Sequence, residues 1–102
     1  IKDDEKILIL YGDVPLISAA GKGHTNMVNK LLSRGANVNQ QKQPTMHTAL
    51  IVAAEKGNLD MGIILKEAGA DITMKLNGGN TALIQAAHRG HSAVVEKLGE
   101  WE

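Results

Sequence analysis

Apolar and polar residues alternate along the chain in a pattern that repeats at long range. The segment 14–23 (VPLISAAGKG) returns at 48–57 (TALIVAAEKG) and again at 81–90 (TALIQAAHRG). A second phrase, 35–39 (GANVN), returns at 69–73 (GADIT). Self-similarity at a period of about 33 residues indicates a solenoid, in which each unit buries its apolar face only against its neighbours.

The first phrase of each unit predicts a short helix. Thr48 and Thr81 stand where an N-cap hydroxyl can accept a hydrogen bond from an early backbone N–H. Pro15 occupies the equivalent start of the first unit, where its missing donor does no harm. Leu, Ile and a pair of alanines follow, and a glycine then ends each helix at positions 23, 57 and 90.

A second helix and a polar loop complete each unit. Met27, Val28, Leu31 and Leu32 form one apolar stripe at helical spacing in the first unit. A glycine after this helix, at positions 35 and 69, suits a left-handed C-terminal residue. The polar segments 39–47 and 73–80 are predicted to form projecting hairpin-like turns. Their unequal lengths place an extra residue in the first loop, near 40–45.

Together these motifs resemble the ankyrin repeat. The pattern Gly-x-Thr-Pro-Leu-x-x-Ala-Ala, then Gly-His, an apolar helix and Gly-Ala-x-Val-Asn, covers residues 12–102. The resemblance implies an all-α solenoid of stacked helix-turn-helix pairs with projecting β-hairpin-like loops. Repeats are expected at 12–41, 42–74 and 75–102, the last being truncated or a C-terminal cap. Residues 1–11 are expected to be an N-terminal cap or the remnant of a preceding repeat, as a helix or part-helix rather than an extended segment.

Composition narrows the class of partner. Eleven Lys and Arg residues balance eleven Asp and Glu residues, so no global field favours nucleic acid or an anionic membrane. No apolar run is long enough to span a bilayer. The absence of cysteine excludes disulfides and thiolate metal sites and favours an intracellular protein, cytoplasmic or nuclear. The start at Ile1 indicates a fragment, a processed product or part of something larger.

Candidate chemistry is sparse. His88 and His91 have the spacing of two metal ligands on one helix face, but no cysteine or carboxylate cluster completes a zinc site. In the family, the histidine of the Gly-His pair, here His24 or His91, is expected to cap the second helix. The phrase 21–24 (GKGH) lacks the spacing of a phosphate-binding loop and is an inter-helix turn. We therefore expect no catalytic, cofactor-binding or metal-binding residues.

Binding is the expected function. The resemblance implies a non-catalytic protein-protein interaction module, or scaffold, that recognises its partner with its concave face and loop tips. The family's contact positions correspond here to Tyr11, Asp13, Gly21, Lys22, Thr45, His47, Glu55, Lys56, Asn77, Asn80, His88 and Arg89. One column of these positions reads Lys22, Lys56 and Arg89. It predicts a preference for an acidic segment of the partner, unless these cations are solvated turn residues.

Several alternatives remain open from the sequence. The chain could be the recognition or spacer segment of a larger multidomain enzyme or of a bacterial host-directed effector. Asn39 matches the hairpin asparagine that is hydroxylated in some family members, although a plain turn-forming role is favoured. The oligomeric state is open, with a monomer as the expectation.

Overall fold

The computed structural model describes residues 14–102, so the expected cap at 1–11 lies outside the described residues. Within 14–102 the chain forms six helices in three antiparallel pairs. They are α1 (Val14–Lys22), α2 (Thr25–Ser33), α3 (Ala49–Lys56), α4 (Leu59–Glu67), α5 (Ala82–His88) and α6 (Ser92–Glu100). The predicted all-α repeat architecture is confirmed.

The helix starts follow the predicted capping chemistry in part. Thr48 Oγ1 accepts from Ile51 N at 3.1 Å, and Thr81 Oγ1 accepts from Ile84 N at 3.4 Å. Neither His24 nor His91 makes a side-chain cap for α2 or α6, so the expectation of a capping ring was wrong. A carboxamide is short enough to turn back onto its own helix, and Asn58 does so by accepting from Met61 N at 3.1 Å.

The first helices of the pairs stack directly on one another. α3 contacts α1 on one side and α5 on the other, while the second helices lie behind them. A Cβ atom on Gly21 would stand 2.8 Å from Val52 Cγ1, which explains why glycine permits α1 to approach α3. Small alanines fill the same interfaces, and Ala49, Ala53 and other core residues are fully buried. The result is a thin stack that measures 42 × 26 × 21 Å.

The loops between pairs project as hairpin-like turns, closed by the bridges Lys42–His47 and Lys75–Thr81. In the first, Lys42 N donates to His47 O across a four-residue tip, 43–46. In the second, Leu76 N donates to Asn80 O across a three-residue tip, 77–79. The extra residue therefore lies in the first tip, as the loop lengths predicted.

Neighbouring loops are joined side by side, which fixes the first tip against the second. Asn77 N donates to Thr45 O at 2.9 Å, and Asn77 Nδ2 donates to Pro44 O at 2.9 Å. Gln41 Nε2 reaches Lys75 O at 2.9 Å. The hairpin tips consequently form a continuous edge beside α1, α3 and α5. We call the surface between this edge and these three helices the hairpin-side face.

Candidate functional site

Most of the predicted contact residues lie on the hairpin-side face or at its border. Two of them, Tyr11 and Asp13, fall outside the described residues. The others divide into a hydrogen-bonded network around Glu55 and a set of cationic side chains beside it. His88 is exposed at the end of α5, and its side chain makes no hydrogen bond within the described part of the chain.

Glu55, near the end of α3, is the centre of the network. Its side chain is only 13% exposed. His47 Nε2 lies 3.0 Å from Glu55 Oε1 and 3.1 Å from Oε2. Because a carboxylate can only accept hydrogen bonds, the proton of the imidazole must be on Nε2. On the other side of the ring, Thr45 Oγ1 lies 2.6 Å from His47 Nδ1. The hairpin tip is thereby tied to α3.

The third repeat joins the same network. Gln85 Nε2 donates to Glu55 Oε2 at 2.6 Å, and Asn80 Nδ2 donates to Gln85 Oε1 at 2.8 Å. Arg89 brings its guanidinium to within 4.0 Å of Glu55 Oε2, although its side chain remains 54% exposed. Arg89 therefore has an ion-pair partner in Glu55. Lys22 and Lys56, which the sequence predicts to lie in one column with Arg89, have no ion pair among the described residues.

His91 supplies a further contact between the second and third units. Its Nε2 donates to the backbone oxygen of Glu55 at 2.9 Å. The ring packs over Gly57, and a Cβ atom at that glycine would lie 2.5 Å from His91 Nδ1. Gly57 also has φ 71°, in the left-handed region that favours glycine. The Gly-His pair thus links consecutive repeats at this position.

An open groove of about 470 Å³ lies between the first hairpin tip and the exposed side of α1 and α3. Three lysines line it: Lys22 from α1, Lys42 from the hairpin and Lys56 from α3. Ile17 and Val52 contribute apolar surface at its base. The described lining contains no carboxylate. We call this site the basic groove; its remaining lining residues are Ser18, Gly21, Gln43, Pro44, Thr45 and His47.

A second groove of about 420 Å³ lies on the opposite side of the same hairpin tip. Its lining includes Glu55, Gln85 and Asn77 and none of the described lysines or arginines. We call it the Glu55 groove. Leu76 and Gly78 complete it beside Pro44, Thr45 and His47, which both grooves share. The tip at Pro44 and Thr45 thus separates a groove lined by three lysines from one that has Glu55 and no lysine in its described lining.

Asn39 lies away from both grooves and joins two loops. Its Oδ1 accepts from Asp71 N at 2.7 Å, and its Nδ2 donates to Gly69 O at 3.3 Å. The expectation that this side chain bonds its own turn was wrong, because both of the bonds that it makes among the described residues go to the next loop. Hydroxylation of Asn39 stays a prediction.

Asp71, whose backbone N donates that hydrogen bond, has a carboxyl group with a lowered pKa. Thr73 donates to Asp71 Oδ1 from its hydroxyl at 2.6 Å and from its backbone N at 2.9 Å. The side-chain bond first, and then the backbone bond, lower the pKa of the Asp71 carboxyl below its ordinary value. The carboxyl is exposed, so the effect is local to this turn.

Sequence reasoning missed three residues that build the site. Lys42 and Gln85 were outside the transferred contact positions, and the link from His91 to Glu55 requires knowledge of how repeats stack. Lys42 could have been noticed as a cation in the same loop as Thr45 and His47. Nothing in the spacing of Gln85 or His91 signals a bond to Glu55, because the two bonds join residues 30 and 36 positions apart in the sequence.

Metal sites and membrane-spanning helices are both absent from the described residues. No group of three or more His, Asp or Glu side chains in 14–102 is arranged to hold a metal ion. None of the helices α1 to α6 has the length and apolar character needed to cross a bilayer.

Comparisons with known proteins agree with the repeat pattern. A family model of ankyrin repeats in three copies matches residues 16–101. Over 85 residues the chain is 34% identical to a putative ankyrin repeat-containing protein of Treponema pallidum, covering 82% of this chain and 28% of that protein. Over 98 residues it is 35% identical to mouse protein fem-1 homolog A-like, covering 95% and 14%. Over 71 residues it is 44% identical to human ankyrin repeat domain-containing protein 17, covering 69% and 3%. The chain spans less than a third of the length of each relative.

Proposed function

Since the chain belongs to the ankyrin repeat family, which is in general a non-catalytic protein-interaction module, we propose that it binds a protein partner through the hairpin-side face. This face corresponds to the concave face expected from the resemblance. The observation that carries the proposal is the pair of open grooves on either side of the Pro44–Thr45 tip. Grooves of several hundred cubic ångströms accommodate a few side chains of a partner.

The contact residues are assigned on the same basis. Lys22, Lys56 and Thr45 line the basic groove, while Glu55 and Asn77 line the Glu55 groove. Tyr11 and Asp13 keep their proposed roles from the family pattern alone. An acidic segment of the partner would be attracted by Lys22 and Lys56, which have no ion pair among the described residues.

A display selection with random peptides tests the proposal without assuming any charge preference. Ser18→Trp fills the basic groove from an exposed position of α1, and Gly78→Trp fills the Glu55 groove from a hairpin tip with open space around it. Asn29→Trp, on the exposed side of α2, is the matched control. We expect selected peptides to lose binding to one or both groove variants and to keep binding to the control. Peptides that bind all three variants equally would contradict a role for this face.

The second proposal places the same binding role within a longer protein. The three relatives reported above are much longer than the matched region, which is the observation that favours it. The chain would then be the recognition segment of a multidomain enzyme or of a host-directed effector, with the chemistry in other domains. The length of the native open reading frame separates the two proposals.

A further inference from the structure

The basic groove has three lysines and no carboxylate in its described lining. Lys22, Lys42 and Lys56 come from three separate elements, and each is exposed. Their amines have no ion-pair partner among residues 15–102, unlike Arg89, which lies beside Glu55. Three cations with no ion pair among the described residues surround a groove whose described lining has no carboxylate. They create a local positive potential there, although the net charge of the chain is zero.

The base of this groove is apolar. Ile17 is buried to 5% exposure, and Val52 is partly buried beside it. Because Gly21 has no side chain, α1 lies close to Val52, and the partly buried Val52 supplies more exposed apolar surface to the groove than the buried Ile17. A ligand that carried only charge would leave this surface exposed to water. An apolar side chain placed on it would remove both apolar surfaces from water.

We propose that the basic groove binds an extended peptide segment in which aspartate or glutamate residues flank an apolar side chain. The proposal rests on the protein-binding function proposed above and specifies the chemistry of the segment that one of the two grooves accepts. The carboxylates pair with Lys22, Lys42 and Lys56, and the apolar side chain covers Ile17 and Val52. Because exposed ion pairs are individually weak, the apolar contact is needed for useful affinity.

The neighbouring Glu55 groove restricts where the acidic residues can lie. Its carboxylate accepts hydrogen bonds from His47 and Gln85 and lies 4.0 Å from the Arg89 guanidinium, and no lysine or arginine is among the described residues that line this groove. A peptide that crosses the tip at Pro44 and Thr45 therefore finds lysine partners for its acidic part only on the side of the basic groove. This difference between the two grooves gives the bound segment one direction.

A nucleic acid fits this groove less well than a peptide. Single strands bind proteins through aromatic side chains on which bases stack, together with a basic track along the backbone. The described lining of the basic groove has no Phe, Tyr or Trp, and the ring of its one histidine, His47, is held between Thr45 and Glu55. The apolar base between the lysines matches an aliphatic side chain rather than a phosphate backbone.

The test compares peptides selected by the wild-type chain with peptides selected by a variant in which Lys22, Lys42 and Lys56 are all changed to Gln. Wild-type selection should enrich Asp and Glu next to Leu, Ile or Val. The triple variant should lose this enrichment. A wild-type-selected peptide should bind the triple variant about tenfold more weakly, as expected for the loss of three exposed ion pairs. Raising the salt concentration should weaken wild-type binding and bring it close to that of the variant.

A charge-matched control removes three lysines from the outer helices. Lys30, Lys66 and Lys97 lie on α2, α4 and α6, away from both grooves, and their replacement by Gln lowers the net charge by the same amount. This variant should keep the enrichment and the affinity. Thermal unfolding followed by circular dichroism confirms that both triple variants are folded at the assay temperature.

The outcomes separate this inference from the proposed function. Peptides that lose binding to Ser18→Trp yet carry no excess of acidic residues would overturn the inference and leave the protein-binding role standing. Peptides indifferent to both groove-filling variants would overturn the protein-binding role itself. Binding of a labelled oligothymidylate that is lost in the groove triple variant, without any acidic peptide binding, would assign the groove to nucleic acid instead.

Discussion

Replacing Gly57 by alanine should destabilise the stack more than the same replacement at Gly90. Both glycines follow the first helix of a repeat, with φ 71° and 76°. An alanine at either site would be strained, because a residue with a Cβ atom is disfavoured in this left-handed region. The cost of this strain is about 1 kcal/mol after allowance for the stiffer unfolded chain. At Gly90 nothing lies within 4 Å of the added Cβ atom, so about 1 kcal/mol is the whole expected effect.

At Gly57 the added Cβ atom meets the ring of His91. It would lie 2.5 Å from Nδ1 and 2.9 Å from Cγ, which is too close for a small adjustment of the ring. Displacing the ring breaks the hydrogen bond from His91 Nε2 to Glu55 O, worth about 0.5–1.5 kcal/mol. The expected loss in the free energy of unfolding is therefore about 1.5–2.5 kcal/mol, the sum of the two contributions.

Urea unfolding followed by far-ultraviolet circular dichroism measures both variants. The decisive comparison repeats Gly57→Ala in a His91→Ala background, where no ring is present to clash. There the cost of the alanine should fall to about 1 kcal/mol, the value expected at Gly90. Equal costs at the two glycines, or a cost at Gly57 that does not change when His91 is removed, would refute the link between the repeats.

Three further predictions concern other parts of the stack. Asn39→Ala should lower the free energy of unfolding by about 1 kcal/mol, because the side chain joins two loops; unchanged urea unfolding would contradict this. Ile51→Ala should lower the free energy of unfolding by about 2–5 kcal/mol and the equivalent Ile84→Ala by clearly less, since 1% of Ile51 and 38% of Ile84 is exposed; similar losses would contradict this difference in burial. The Asp71 carboxyl should titrate below its usual 3.8 by nuclear magnetic resonance, and Thr73→Ala should raise that midpoint. Because the pKa of Asp71 is lower in the folded state than in the unfolded state, the stability that this group contributes is present above pH 3.8 and is lost as the pH falls through the pKa of the folded state. A titration midpoint that Thr73→Ala leaves unchanged would contradict the assigned cause.

The repeat architecture was predictable because its determinants are local and periodic. Thr48 and Thr81 act on their own helices, and the glycines after each helix act through the backbone of their own turn. The unequal loop lengths placed the extra residue in the tip 43–46, since the flanking phrases fix the register on both sides. Each of these features depends on residues close together in the sequence.

Only some of the residues that form the candidate site were predictable from the sequence. The family pattern pointed to Lys22 and Lys56, and the structure brings both to one groove. It did not point to Lys42, or to the bond from Gln85 to Glu55, because these depend on how a hairpin tip packs against the following repeat. The predicted cap by His91 was wrong for the same reason, since the ring finds its partner in the preceding repeat.

The most direct test of the account is a map of backbone amide chemical shifts when a selected peptide is added to the chain. Binding in the basic groove predicts the largest changes at the amides of α1, α3 and the tip 43–46, around Gly21, Lys42 and Val52. Changes of similar size should not occur on the outer helices α2, α4 and α6. A map centred on those outer helices, with the hairpin-side face unchanged, would contradict the proposed function and the assignment of the groove together.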